Sequence, residues 1–462
     1  MHELFDIISD PERVIIGEID GKYLTDGLGR LRGEAEALVF PLTTQEVSGV
    51  LRWAHEHRIP VTPRGAGTNL VGSTVPDGGI VLDLSRMNHI LELDADTFTV
   101  TVEPGVLLQD LQAWVEERGF FYPPDPGEKE SSIGGNISTN AGGMRAVKYG
   151  VTRDYVRGLE VVLADGEVLT LGGKCVKDAS GLSLKNLVVG SEGTLAVITK
   201  CILRLLPKPE AAVSAVVCYQ SLSDGIRDVL RILRENVDPT AVEFVERKVV
   251  ELGERFSGLR FPRPDAGSYI ILTFDGDGNT VRAHLEKARR LTLEGGALDF
   301  VVLDDPAAAA GVWKVRGALV KAVEAVSEQE PVDIVVPISR TAEFIRYVNE
   351  LERSSGVRMV SFGHAGDGNV HLCVVRGGRT QEEWEQIHKN HMPQIYDKAY
   401  ELGGLASGEH GIGLSKRGYF LRNTAQGNLA AMNRIKDALD ERHILNDHKS
   451  YIVKEAPHAE IL

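Results

Sequence analysis

The sequence predicts an α+β protein built from two dissimilar units, and three observations carry that reading. Strand-like and helix-like periodicities interleave from residue 36 onward with no tandem repeat. The pattern changes at Pro207-Lys208-Pro209-Glu210, which sets a boundary near Pro209. Of the 49 glycines, 25 cluster in five loops, at 65–79, 127–150, 172–193, 363–368 and 403–418, where a backbone must turn sharply or approach something closely.

The elements follow in order. Residues 38–63 read as a short strand, a Thr-capped amphipathic helix over Thr44–His57, and a second strand entering the first glycine loop. GIVLDLSRM and FTVTVEPGV read as strands, and LLQDLQAWVEERG as a helix ended by Gly119. LEVVLADGEVLTLGG predicts a hairpin with Asp165-Gly166 as a two-residue turn, and LAVITKCILRLLP a further strand. Beyond Pro209, strands such as SYIILTFDG and DFVVLDD alternate with helices such as AHLEKARRLTLEGG and AAAAGVWKVRGALVKAV. At 462 residues the chain is long enough for two or three cores of ordinary size.

Composition narrows the function classes. Apolar residues at 43% and charged residues at 25% are those of a globular chain, which excludes disordered and fibrous identities. Lys+Arg 51 against Asp+Glu 66 gives a net charge of −15, the wrong sign for holding a phosphate backbone, so no nucleic-acid partner is expected. The acidic start MHELFDIISDPERVIIGEID does not suit a signal peptide, and no apolar run approaches the roughly 18 residues of a membrane span. The expectation is therefore a cytoplasmic protein without a transmembrane segment. Cys175, Cys201, Cys218 and Cys373 match neither a disulfide framework nor a CxxC cluster, so the chain carries no iron–sulfur centre of its own.

Five motifs carry chemistry. PRGAGTNLVGST, 63–74, has the small residues and Ser/Thr/Asn donors of an anion cradle, but no P-loop lysine follows Gly72 and no third glycine completes a dinucleotide fingerprint. YPPDPGEKESSIGGNISTNAGGMRAVKYG, 122–150, and VVGSEGTLAVIT, 188–199, are likewise rich in backbone donors. SFGHAGDGNVHLCVV, 361–375, reads as strand, glycine loop, strand, with His364 and His371 at the two ends of the loop. LASGEHGIGLSKRGYF, 405–420, sets Glu409 beside His410 between glycines. Two imidazoles and a carboxylate with one further histidine make the inventory of a three-ligand metal site plus a proton acceptor. Taken singly, each glycine loop also reads as a plain turn and each histidine as a satisfied structural residue.

The three loops in this order, followed by HxGDGNxH and GEHGIG, resemble the flavin-dependent oxidoreductases of the vanillyl-alcohol oxidase fold class. More narrowly they resemble the FAD-linked D-2-hydroxy-acid dehydrogenases, which include the glycolate oxidase flavin subunit, D-lactate dehydrogenase and D-2-hydroxyglutarate dehydrogenase. The resemblance covers about residues 35–450. It implies a two-subdomain FAD-binding domain over 1–209, an α+β cap domain with an antiparallel sheet and a metal site over 210–425, and a C-terminal segment, 426–462, that returns to the flavin.

For the cofactor the resemblance implies Pro63, Arg64, Gly65, Ala66, Gly67, Thr68, Asn69 and Ser73 around the FAD pyrophosphate. Along the flavin it implies Pro126, Ser132, Gly135, Asn136, Ser138, Asn140, Gly142 and Gly143, with Gly190, Glu192, Gly193, Ile198 and Asn446 also near the cofactor. With Ala66 and Thr68 and neither histidine nor cysteine in the first loop, the FAD is expected to be non-covalent. The resemblance further implies that His364, His371 and Glu409 bind a divalent metal (Zn, Mn, Fe or Co), that His410 is the base, and that Arg316 binds the substrate carboxylate.

Relatives acting on 2-hydroxyglutarate carry a lysine and an asparagine where this chain has Pro331 and Cys373. That favours a small substrate, D-lactate first and glycolate next, oxidised to the 2-oxo acid. Relatives read LNPGK where this chain reads Leu445-Asn446-Asp447-His448-Lys449, so the turn after Asn446 is expected to differ. The electrons are expected to leave through an electron-transferring flavoprotein, an iron–sulfur subunit or a quinone, in an oligomer or hetero-complex that is cytoplasmic or peripheral to the inner membrane face. The alternatives are an oxidase using oxygen, a D-2-hydroxyglutarate dehydrogenase, and a non-catalytic FAD-bearing subunit.

Overall fold

A computed structural model describes residues 1–452, so the part of the expected C-terminal segment from 453 onward lies outside the described residues. The chain forms two compact units. The first takes Met1–Ala141, Val151–Lys208 and the stretch from Glu409; the second takes Gly142–Gly150 and Pro209–Gly408.

In the first unit, Thr43 caps the helix Thr44–His57 by accepting from Glu46 N at 3.2 Å, and Arg58, with φ +54°, ends it. Val47, Val50, Leu51 and Ala54 fall on one face at helical spacing and are fully buried, in one core with Ala37, Val39, Val61, Ile80 and Leu82. Those last residues belong to a four-stranded sheet in the order Val14–Ile16, Ala37–Val39, Ile80–Asp83, Val61–Arg64, parallel except at its first pair. A second sheet is wholly antiparallel, in the order Ile90–Asp94, Thr99–Val102, Val197–Arg204, Val156–Val162, Val168–Gly172.

The second unit is organised on seven antiparallel strands in the order Asp299–Leu303, Ala211–Tyr219, Ser268–Gly276, Ala241–Glu246, Met359–His364, Asn369–Val375, Gln329–Val335. Its core joins sheet residues such as Val245, Ile271 and Phe362 to Val249 and Val250 of the helix Arg247–Ser257 and to Val312 and Val315 of the helix Pro306–Gly317. The architecture is α+β, with antiparallel pairing dominant.

Four details differ from the sequence expectation, each for a local reason. The hairpin after Val162 closes through three residues, Ala164 to Gly166, because Leu163 N donates to Glu167 O at 2.9 Å and Gly166 takes φ +86°. The helix expected through 307–323 breaks after Gly317 and resumes over Leu319–Glu324. Residues 142–150 go with the second unit, since Lys148 Nζ and Tyr149 Oη both donate to Asp275 Oδ1 at 2.9 Å. The chain re-enters the first unit at Glu409 rather than at 426, because Leu414 N and Ser415 N donate to Val71 O at 2.8 and 3.1 Å.

Candidate active site

In the first unit the loop after Val61–Arg64 is shaped by its own polar groups. Arg64 Nη1 donates to Asp83 Oδ2 at 2.7 Å, and its guanidinium lies 4.9 Å from the Tyr23 ring centre. Asn69 Oδ1 accepts from Val71 N and Ser73 N at 3.0 and 2.9 Å, which curls the loop, while Asn69 Nδ2 donates to His410 O at 3.3 Å. Ser132 Oγ accepts from Ala66 N and Gly135 N at 3.3 Å each, tying the loop to the helix Ile133–Thr139 that Ser132 caps. A Cβ at Gly65 would collide with that hydroxyl, and Gly67 takes φ +75°, so this close approach requires glycine at both positions. Asn140, with φ +53°, ends the helix and accepts from Arg153 N at 2.9 Å. Ser138 Oγ donates to Gly134 O within the helix, and Asn136, Pro126 and Ile198 are buried beside these segments. Gly190 N donates to Ile137 O at 3.0 Å. Gly142 and Gly143 belong to the second unit.

Glu192 joins the loops of the first unit. Its carboxylate, in a residue 6% exposed, accepts from Ile412 N at 2.9 Å, Gly413 N at 2.8 Å, Ser450 Oγ at 3.2 Å and Ser73 Oγ. Its own carbonyl accepts from Asn446 Nδ2 at 2.7 Å. Sequence reasoning set Glu192 and Asn446 near the cofactor; the geometry makes them the clamp that holds 73, 412–413 and 450 together. Lys436, fully buried, donates to Thr194 O, Leu445 O and Asp440 Oδ2 and so fixes the turn 440–446.

Sequence reasoning missed Lys449. It is 2% exposed, and its Nζ donates to Ser73 O at 3.0 Å and Asn446 Oδ1 at 2.7 Å. Both acceptors are uncharged, and among the described residues Lys449 makes no ion pair. A strained turn delivers it: Asn446, His448 and Ser450 all have positive φ, at 46°, 70° and 53°. A lysine from the returning C-terminal stretch is thus tied to Ser73 at the end of the first loop. A buried ammonium whose hydrogen bonds go to uncharged acceptors, with the Glu192 and Asp77 charges only acting from farther off, beside a glycine loop too tight for a Cβ, is compatible with an anionic group such as a pyrophosphate.

Burial holds the Lys449 ammonium down to about 7. An anion seated beside it raises that value, so FAD binding takes up a proton between the two values and affinity falls as pH rises above about 7. Lys449→Met is expected to weaken FAD by about 10–100-fold, the worth of a charge-assisted hydrogen bond, and to flatten that pH dependence. Flavin fluorescence titration of the apoprotein at several pH values checks both.

In the second unit, the short loop between Met359–His364 and Asn369–Val375 turns two histidines toward each other. Their Nε2 atoms lie 3.3 Å apart and their rings stand at 88°. His364 Nδ1 meets Glu243 Oε1 at 2.5 Å, so Nδ1 donates to the carboxylate while Nε2 faces His371. Glu243 Oε2 accepts from Arg316 Nε and Nη2 at 3.0 and 2.5 Å, and the guanidinium lies 5.1 Å from the Phe362 ring centre. Burial alone would raise the Glu243 carboxyl; His364 and Arg316 overcome it and hold the group below the usual carboxylate range. Arg316, expected to meet substrate, is engaged by Glu243 along its Nε and Nη2 edge.

Asp333, fully buried, accepts from Asn369 Nδ2 at 2.7 Å, Ser407 Oγ at 2.7 Å and Gly408 N at 3.1 Å. It thereby anchors the turn from which the chain continues directly into Glu409 and His410. Neither Glu243 nor Asp333 was assigned from sequence. The only signal at Glu243 is an acid inside the apolar run AVEFV, which a strand tolerates when the acid is paired.

Comparison with known proteins places the chain. Residues 35–172 match the FAD binding domain family and 208–450 the family of FAD linked oxidases, C-terminal domain. A D-lactate dehydrogenase of Anaerostipes hadrus is 42% identical over 95% of this chain and 94% of that protein. Glycolate oxidase subunit GlcD of Bacillus subtilis is 37% identical over 93% and 92%. Among solved structures, p-cresol methylhydroxylase matches with a TM-score of 0.79 at 17% identity, covering 98% of this chain and 96% of that one. A 4-ethylphenol oxidase from Gulosibacter chungangensis matches with a TM-score of 0.76 at 20% identity, covering 98% of both. The fold is that of the vanillyl-alcohol oxidase class, and its site is that of an FAD-binding oxidoreductase. The chain belongs to the FAD-linked oxidase family, alongside proteins named D-lactate dehydrogenase and glycolate oxidase subunit GlcD. Among the described residues no helix is long and apolar enough to cross a membrane.

Proposed function

We propose that the protein is an FAD- and divalent-metal-dependent dehydrogenase that oxidises a small D-2-hydroxy acid, D-lactate first and glycolate next, to the 2-oxo acid. The observation that carries this reading is the facing pair of Nε2 atoms on His364 and His371, with the proton of His364 committed to Glu243. Two converging imidazole nitrogens, together with the carboxylate of Glu409 and a third histidine, His410, make a donor set suited to Zn, Mn, Fe or Co. Such an ion would supply a Lewis acid for the substrate's hydroxyl and carboxylate oxygens, and bound FAD the acceptor for the Cα hydride.

The chain's own residues do the rest. His410 takes the hydroxyl proton, imidazole being a base suited to neutral pH. Arg316 binds the substrate carboxylate, held in place by Glu243 and Phe362. The loop 63–69 with Ser73, Ser132 and Lys449 holds the FAD without a covalent link, since neither histidine nor cysteine stands in that loop. Pro331 and Cys373 pair directly across neighbouring strands and bring no charged group, which favours a monocarboxylate over 2-hydroxyglutarate.

Three of the four cysteines are buried and none forms a cluster, so electrons go to an external carrier, an electron-transferring flavoprotein or an iron–sulfur subunit. The similarity to a glycolate oxidase subunit supports work in a hetero-complex. Anaerobic mixing of the FAD-loaded protein with D-lactate, glycolate and D-2-hydroxyglutarate tests the substrate. Flavin bleaching is expected fastest with D-lactate and slowest with D-2-hydroxyglutarate, and the reverse order would overturn the assignment.

A further inference from the structure

We infer that Glu243 is a positioning residue that sets both the metal-facing histidine and the substrate-facing arginine with a single carboxylate. The inference deepens the proposed function and rests on His364 being a metal ligand. The side chain of Glu243 is fully buried on the strand Ala241–Glu246, and each of its two oxygens has a different task. Oε1 accepts from His364 Nδ1 at 2.5 Å and thereby sets the other ring nitrogen facing His371 Nε2, 3.3 Å away. Oε2 takes Nε and Nη2 of Arg316, which fixes the plane of the guanidinium against Phe362.

A structural ion pair needs one cation, and Arg316 alone would satisfy it. The second oxygen, spent on an imidazole whose other nitrogen converges on another imidazole, is what a carboxylate–histidine–metal relay requires. The register supports this. Glu243 lies directly opposite His364 on the neighbouring strand, and Phe362 lies opposite His371 on the strand beyond, so the backbone ladder itself brings these groups side by side. A carboxylate here also offsets the positive charge that Arg316 and a divalent ion would otherwise concentrate in one buried place.

The test compares wild type with Glu243→Gln, both as FAD-loaded full-length protein stripped of metal, by titration with Mn²⁺ read from the free-ion EPR signal. Glu243→Gln is expected to raise the Mn²⁺ Kd by about 10–100-fold, the range for losing an outer-shell carboxylate. The FAD spectrum should stay unchanged, and the KM for D-lactate should rise through a loosened Arg316. Glu243→Asp keeps the charge but is too short for both partners; it should fall between the two and serves in place of Glu243→Gln if that variant fails to fold. A variant that binds Mn²⁺ with the wild-type Kd would overturn the role of Glu243 alone. Wild type that binds no Mn²⁺ would overturn the metal site and this inference with it.

Discussion

Replacing His410 with alanine is expected to slow flavin reduction by the hydroxy acid by about 10²–10⁴-fold, the usual worth of a positioned general base. The reason lies in how the residue is held. Its carbonyl accepts from Asn69 Nδ2 at 3.3 Å, and the following residues, Ile412 and Gly413, give their N–H groups to Glu192. The loop is thus clamped by backbone contacts that alanine preserves, so FAD content and the melting temperature should change little while the chemical step collapses. Stopped-flow absorbance under anaerobic conditions separates the two, and added imidazole should restore part of the rate. A His410→Ala protein reduced at the wild-type rate would remove this histidine from the chemistry.

The second large effect is expected from His371→Ala. Its Nε2 is one of the two atoms that converge 3.3 Å apart, between Phe362 and Asp333 at the paired positions on the neighbouring strands. The loss should exceed the roughly 10²-fold upper end for disturbing a mere outer-shell partner. Metal analysis should find less than one ion per FAD, and excess metal should not restore activity, since the missing element is a ligand. FAD should remain bound, since His371 lies in the second unit and the loop 63–73 in the first. A variant with full metal content and full turnover would contradict the assignment.

The features legible in the sequence are those whose causes lie within a few residues. The helix Thr44–His57 announces itself through a threonine cap and apolar spacing, and the strand–loop–strand around His364 and His371 through glycines between two β-branched runs. The helix Ile133–Thr139 was illegible because Gly134 and Gly135 disfavour helix; Ser132 at one end and Asn140 in the left-handed region at the other stabilise it. Glu243 lies 121 positions from His364, and Lys449 376 positions from Ser73. Such pairings are made by strand register and by the returning C-terminal stretch, and no local pattern encodes them. The glycine loops and the His364 and His371 pair could thus be seen in the sequence and given roles through the family resemblance, whereas Glu243, Asp333 and Lys449 could not.

The central claim is that a small D-2-hydroxy acid reduces FAD in this protein with a divalent ion held by His364 and His371. The most direct measurement is anaerobic flavin absorbance on mixing with D-lactate, before chelation, after chelation, and after metal is restored. Bleaching that chelation abolishes and metal restores is the expected result, with FAD bound throughout. Bleaching at an unchanged rate in the chelated protein would contradict the claim.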